Sequence, residues 1–141
     1  MKSLITALLC LTSFAISAQK IERSKIPGAV KEGFNRNFPK VKDGKWLKEN
    51  GDYEVAFRQG KAHMTAVFAA DGSLKETEKA IALSQLPAGA TKYVKEHYKG
   101  SKIKEAAVLK MADGSTNYEV EVKSIDVIFD SQGNFLKTRK G

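Results

Sequence analysis

The chain writes one short strand twice: Tyr53-Glu54-Val55-Ala56-Phe57 returns 65 positions later as Tyr118-Glu119-Val120-Glu121-Val122. Internal duplication restricts the architecture more than composition does, because each copy must fold by the same local rules as the other. Upstream of each strand lies the same helical pattern. Ile26, Val30, Phe34 and Phe38 recur at four-residue steps along one helical face, with Pro27 suited to the first turn and Pro39 ending the run. Sixty positions on, Leu86-Pro87 opens a second helix, Ala90, Val94 and Tyr98 carry the stripe, and Gly100 supplies the stop.

After each helix the hydrophobic period falls from four to two. Strands are predicted at Lys45–Glu49, Asp52–Arg58, Ala62–Phe68 and Ser73–Thr77, broken by Asn50-Gly51, Gln59-Gly60 and Asp71-Gly72. Glycine in such pairs supplies the positive φ that tight hairpins need. The second set is Ala107–Met111, Asn117–Lys123, Ser124–Phe129 and Asn134–Thr138, with breaks at Asp113-Gly114 and Gln132-Gly133. The expected fold class is therefore α+β: a tandem repeat of one helix plus a four-stranded antiparallel meander. The first unit covers about 26–77 and the second about 86–138, with 78–85 as the joint.

Comparing the copies assigns the buried face. Met64, Ala66 and Phe68 correspond to Ile125, Val127 and Phe129, whereas the alternate set contains Asp126. An unpaired buried carboxylate is expensive, so the alternate set faces out. Met64, Ala66 and Phe68 should then lie under the helix with Tyr53, Val55 and Phe57. The same reasoning turns Leu47 and Leu109 inward and Trp46 outward.

The N-terminus reads as a secretory signal peptide: one Lys2, an apolar run from Leu4 to Ile16, then Ser17-Ala18 before the polar Gln19-Lys20. The run is shorter than the roughly 20 apolar residues a membrane span requires. Cleavage after Ala18 leaves a single domain of residues 19–141, destined for the periplasm or for secretion. The one cysteine, Cys10, lies inside the signal, preceded by Leu9 rather than the small residue of a lipobox. The mature domain is thus expected to hold together by its core, without a disulfide. The formal net charge of +8 drops by one with Lys2, and export argues against a nucleic-acid partner. The lysines are interspersed with acidic residues, apart from Lys137, Arg139 and Lys140 at the tail.

A helix opened by Leu/Ile-Pro, a Tyr-Glu-Val strand and a Val/Ile-Phe strand end before a glycine turn, in tandem after a signal peptide, resemble the PepSY-like proteins. These are grouped by fold with the β-lactamase inhibitory protein. The resemblance spans about residues 26–138 and implies a continuous curved sheet with helices on one face. It also implies an exported, non-enzymatic binding or inhibitory protein. Its motifs are core and turn positions, so no partner-contacting residue carries over.

The residues themselves offer no catalytic, metal or cofactor constellation. His63 and His97 lie in different units without metal-ligand spacing. Glu119 and Glu121 share the outward side of one strand, as alternation alone predicts. Asp71-Gly72 and Asp130-Ser131-Gln132-Gly133 lack the repeated acidic positions of a calcium loop. What remains is a surface. One helix per unit covers one side of the sheet, leaving the other for a partner. There the sequence places Trp46, Lys48, Glu54, Arg58, His63, Thr65 and Val67, then Val108, Lys110, Glu119, Glu121, Asp126 and Ile128. Trp46, Arg58, Lys48 and His63 are the candidate contacts, since Trp and Arg commonly anchor interfaces. The leading expectation is a non-catalytic module that docks another envelope or secreted protein, with a hydrolase it restrains as the specific form. The alternative is an envelope-associated structural protein, or one binding anionic ligands and surfaces through its positive charge.

Overall fold

The computed structural model describes residues 18–140. Apart from Ala18, the predicted signal peptide lies outside them. The chain opens with β1 (Gln19–Ile21), then α1 (Gly28–Asn37) and four strands: β2 (Lys45–Glu49), β3 (Asp52–Gln59), β4 (Ala62–Phe68) and β5 (Leu74–Ala80). There follow α2 (Ala88–His97) and β6 (Glu105–Met111), β7 (Thr116–Val122), β8 (Ile125–Phe129) and β9 (Phe135–Lys140). All nine strands form one antiparallel sheet in chain order. Within β2–β5 and β6–β9 the meander needs only local turns, which carry the expected chemistry, while α1 bridges β1 to β2 and α2 bridges β5 to β6. Asn50-Gly51 takes positive φ at both positions. Lys123-Ser124 does the same without glycine, so a two-residue turn stands where the sequence suggested strand.

Two further differences extend the sheet. β1 pairs with β2, adding a strand the sequence did not announce. β5 runs on to Ala80, which pairs with Ala107 of β6. The anticipated joint therefore begins as strand, through Ala80, before a 3-10 turn at Leu83–Gln85, and the β5–β6 pairing makes the sheet continuous.

Each helix buries its stripe on one side of the sheet. Under α1, Ile26, Val30, Phe34 and Phe38 pack with Trp46, Tyr53, Val55, Phe57, Ala66 and Phe68. Phe34 is the hub, meeting Trp46 and Phe57 edge-on at ring separations of 5.3 and 5.4 Å. Under α2, Leu86, Ala90 and Val94 pack with Ala106, Val120, Val122, Val127 and Phe129. The helices sit close because glycines allow it. Gly72, at φ +86°, lies against the backbone of Ala29, and Gly33 lies against Gly72. No side chain fits between α1 and that turn.

Trp46 corrects the sequence reading. It pairs with Val55 and is 4% exposed, inside the α1 core. Its neighbour Leu47 pairs with Glu54 and faces the other way. Lys48 follows Trp46, pairing with Tyr53 and holding its ammonium 5.5 Å from that ring's centre on the helix side. β6 shows the same inversion: Val108 pairs with Tyr118 and Lys110 with Thr116, while Leu109 turns to the open side, where it is still buried. The reason is register. In each strand an apolar residue is available for either face, and a one-residue choice flips every side chain.

Candidate functional site

The face opposite the helices is built from side chains that the pairing places in rows. Glu54, Val67 and Glu76 lie side by side, as do Thr65, Glu78 and Leu109. Glu121, Asp126 and Arg139 form another row, and Glu119 neighbours Ile128. Among the expected open-face residues, Glu54, Arg58, His63, Thr65, Val67, Glu119, Glu121, Asp126 and Ile128 are there. Trp46, Lys48, Val108 and Lys110 are on the helix side.

This face is concave. Arg139 on β9 donates through Nη1 to Glu76 on β5 at 3.1 Å and through Nη2 to Glu119 on β7 at 2.7 Å. In a flat sheet β9 would stand about 19 Å from β5, four spacings of about 4.8 Å, well beyond an arginine's reach. The strands must curl toward the open side, as twisted sheets do. The hollow so formed has a volume of about 1010 Å³ and extends from Glu49 and Asn50 to Arg139 and Lys140. Leu109 and Ile128, each 1% exposed, are buried on this side.

Carboxylates dominate its lining: Glu49 from β2, Asp52 and Glu54 from β3, Glu76 and Glu78 from β5, Glu105 from β6, Glu119 and Glu121 from β7, and Asp126 from β8. Nine of the chain's 16 acidic residues thus meet in one trough, against the cations Arg139 and Lys140. The protein is basic overall, so this segregation makes the trough a local acidic field within a positive surface.

The electrostatics follow from crowding and partial burial. Burial first, then the carboxylates of Glu119 and Glu54, pushes Glu78 up to about 7. Burial and Asp126 raise Glu119 to about 7 although Arg139 pulls the other way. Glu54 and Asp126 are also raised, mainly by burial. Burial works against the Arg139 charge, but Glu76 and Glu119 outweigh it and hold the guanidinium above its ordinary value. Its Nε is buried without an acceptor among the described residues. At the rim, Lys104 pairs with Glu121 at 3.2 Å and Lys75 with Asp52 at 2.5 Å. Glu49, Glu54, Glu78, Glu105 and Asp126 form no ion pair among the described residues.

A smaller hollow of about 640 Å³ adjoins the trough, sharing Thr65, Glu78 and Glu105 with it. Arg58 and His63, paired across β3 and β4, line this hollow. Of the four candidate contacts, Arg58 and His63 thus lie on the open face, and Trp46 and Lys48 do not. It did not reveal the trough, whose acids come from six strands. Among the described residues, no three His, Cys, Asp or Glu side chains are placed to hold a common metal ion. His97 lies on the other side, stacked on Tyr93 at 3.8 Å with Nδ1 3.0 Å from the Tyr93 carbonyl oxygen.

An antiparallel sheet with both helices on one side and a concave face that the helices leave open on the other defines an α+β fold that presents a surface. Comparison with known proteins agrees. A family described as "Putative beta-lactamase-inhibitor-like, PepSY-like" matches residues 51–137, more than half of the chain. This protein belongs to that PepSY-like family.

Solved structures share the fold at low identity. A DUF2874 family protein from Bacteroides ovatus is 19% identical with a TM-score of 0.65, covering 80% of this chain and 86% of its own. A BLIP-like protein from Bacteroides fragilis is 19% identical with a TM-score of 0.61, covering 80% and 85%. A structure from Bacteroides eggerthii, described as "putative periplasmic proteins", is 12% identical with a TM-score of 0.67, covering 80% and 87%. No curated protein matches the chain. Among the described residues no helix is long and apolar enough to cross a membrane.

Proposed function

We propose that this chain is an exported, non-catalytic binding module that docks another envelope or secreted protein in the trough on its open sheet face. One observation carries the reading: the helices cover one side of the sheet, while the other, which they leave open, is a large hollow lined by over half of the chain's carboxylates. Pockets of fold-wide, side-chain-built character suit recognition of a protein surface better than turnover of a small substrate. Periplasmic or secreted localisation, with cleavage after Ala18, fits the signal-like N-terminus and the description of the Bacteroides eggerthii structure. A tandem duplication accounts for the recurrence of the helix and Tyr-Glu-Val strand. Restraint of a hydrolase is the specific form of docking that the family's description suggests. Arg58 and His63 border the same face and are assigned to its periphery.

Affinity capture from the host's envelope extract tests the reading. A specific partner should be retained by the native protein and lost when Glu78→Lys and Asp126→Lys reverse charge in the trough. Retention by both baits would place docking elsewhere. A second reading has its own observation: the exposed Arg36, Lys95 and Lys99 lie on or just after the helices, away from the trough. They suit contact with an anionic envelope surface. Such binding would survive the trough substitutions and fade steeply as salt is raised.

A further inference from the structure

We propose that the trough takes an extended, arginine- or lysine-bearing segment of the partner protein, with Arg139 as this chain's own stand-in for one of that segment's cations. The proposal rests on docking at the open face and adds the chemistry of what docks.

The inner strands are paired on both sides, so open main-chain edges lie only along β1 and β9. A ligand on this face must therefore be read by side chains rather than by strand addition. The side chains offered are carboxylates, and charge complementarity names the partner. The shape names its form. The acids are spread over six strands rather than gathered around one point, which matches cations spaced along an extended chain better than a single ion.

Arg139 shows how such a cation is received. Its two terminal nitrogens each reach a carboxylate from a different strand, Glu76 and Glu119, at 3.1 and 2.7 Å. Charge-assisted contacts of this kind are among the stronger hydrogen bonds and favour the planar guanidinium. Beside it, Glu78, Glu54 and Asp126 are half-buried and form no ion pair among the described residues. A second guanidinium or ammonium would draw these carboxyls into their ionised form and neutralise them. The protein's overall positive charge adds a selection. A strongly basic globular protein is repelled by the remaining surface, whereas a short cationic segment on a neutral or acidic protein meets only the trough.

The test is fluorescence anisotropy of the exported protein with a labelled eight-residue peptide of alternating arginine and serine, at physiological salt. A glutamate-for-arginine peptide serves as the reference. The arginine peptide should bind and the glutamate peptide should not. Glu78→Gln with Asp126→Asn should weaken binding at least tenfold, and Lys61→Gln, on an exposed turn outside the trough, should leave it unchanged. Circular dichroism confirms folding of each variant.

Absence of arginine-peptide binding, or equal binding by the Glu78→Gln/Asp126→Asn variant, overturns the proposal. Failure here is distinguishable from failure of docking itself. If envelope capture depends on trough charge while the peptide does not bind, docking stands and the cationic segment is rejected. If capture ignores the trough, the docking reading falls as well.

Discussion

Glu78 and Glu119 make the stability of this protein depend on pH in an unusual direction. Both carboxyls rise from 4.5 to about 7 on folding, chiefly because the curled sheet takes them partly out of water among other acids. A group whose folded pKa lies above its unfolded value contributes stability that is fully present below the unfolded pKa. That contribution is lost as pH rises through the folded pKa. Folding should therefore weaken between about pH 4.5 and 8. Each pH unit of difference is worth about 1.4 kcal/mol, but part of the Glu78 shift comes from Glu119 itself and solvent screens both. The pair together should then contribute about 2–4 kcal/mol rather than the simple sum. For a domain of this size that corresponds to roughly 6–20 °C in Tm. Asp71, Asp113 and Asp130, held below 3.8 by turn hydrogen bonds to their neighbours, act only at more acid pH and do not oppose the effect.

Differential scanning calorimetry from pH 5 to pH 8 should show Tm falling steadily. Glu78→Gln combined with Glu119→Gln should raise Tm at pH 8 and flatten the profile. A Tm that is level or rising over this range in the native protein would refute the argument. So would an unchanged slope in the double variant.

Other expected outcomes concern the core and the curl. Trp46→Ala should cost about 3–5 kcal/mol in urea unfolding, as for loss of a buried aromatic, whereas an exposed tryptophan would cost little. Trp46→Phe should cost less than about 1.5 kcal/mol, because it keeps ring contact with Phe34 and removes an indole Nε1 buried without a partner among the described residues. Gly72→Ala should destabilise by about 2 kcal/mol or more, since an added Cβ meets the Ala29 backbone and the φ of +86° is strained for alanine. Arg139→Met should leave the helix-side cores intact yet loosen the curl, visible as faster amide exchange in β5 and β9 with a smaller change in global unfolding.

The recurrence of Tyr-Glu-Val, the four-residue stripes beginning at Ile26 and Leu86, and the glycine turns determined the helices, most strands and the inward set of β3 and β4. Those features are local: they depend on periodicity and backbone propensity within a few residues. Asp126 also assigned a face by itself, because a charge has a strong preference where a methyl group does not.

Trp46 and Leu47 had no such arbiter, since either is a suitable core residue. Only pairing with β3 chose Trp46, opposite Val55, just as pairing with β7 put Ala106 opposite Val120. The trough was further from reach. Its acids are individually ordinary outward residues of alternating strands, and their meeting depends on the curl that brings β9 over to β5. Curl is a property of the whole sheet, set by twist accumulated over nine strands and held by the Arg139 contacts, so it exists only in the tertiary structure.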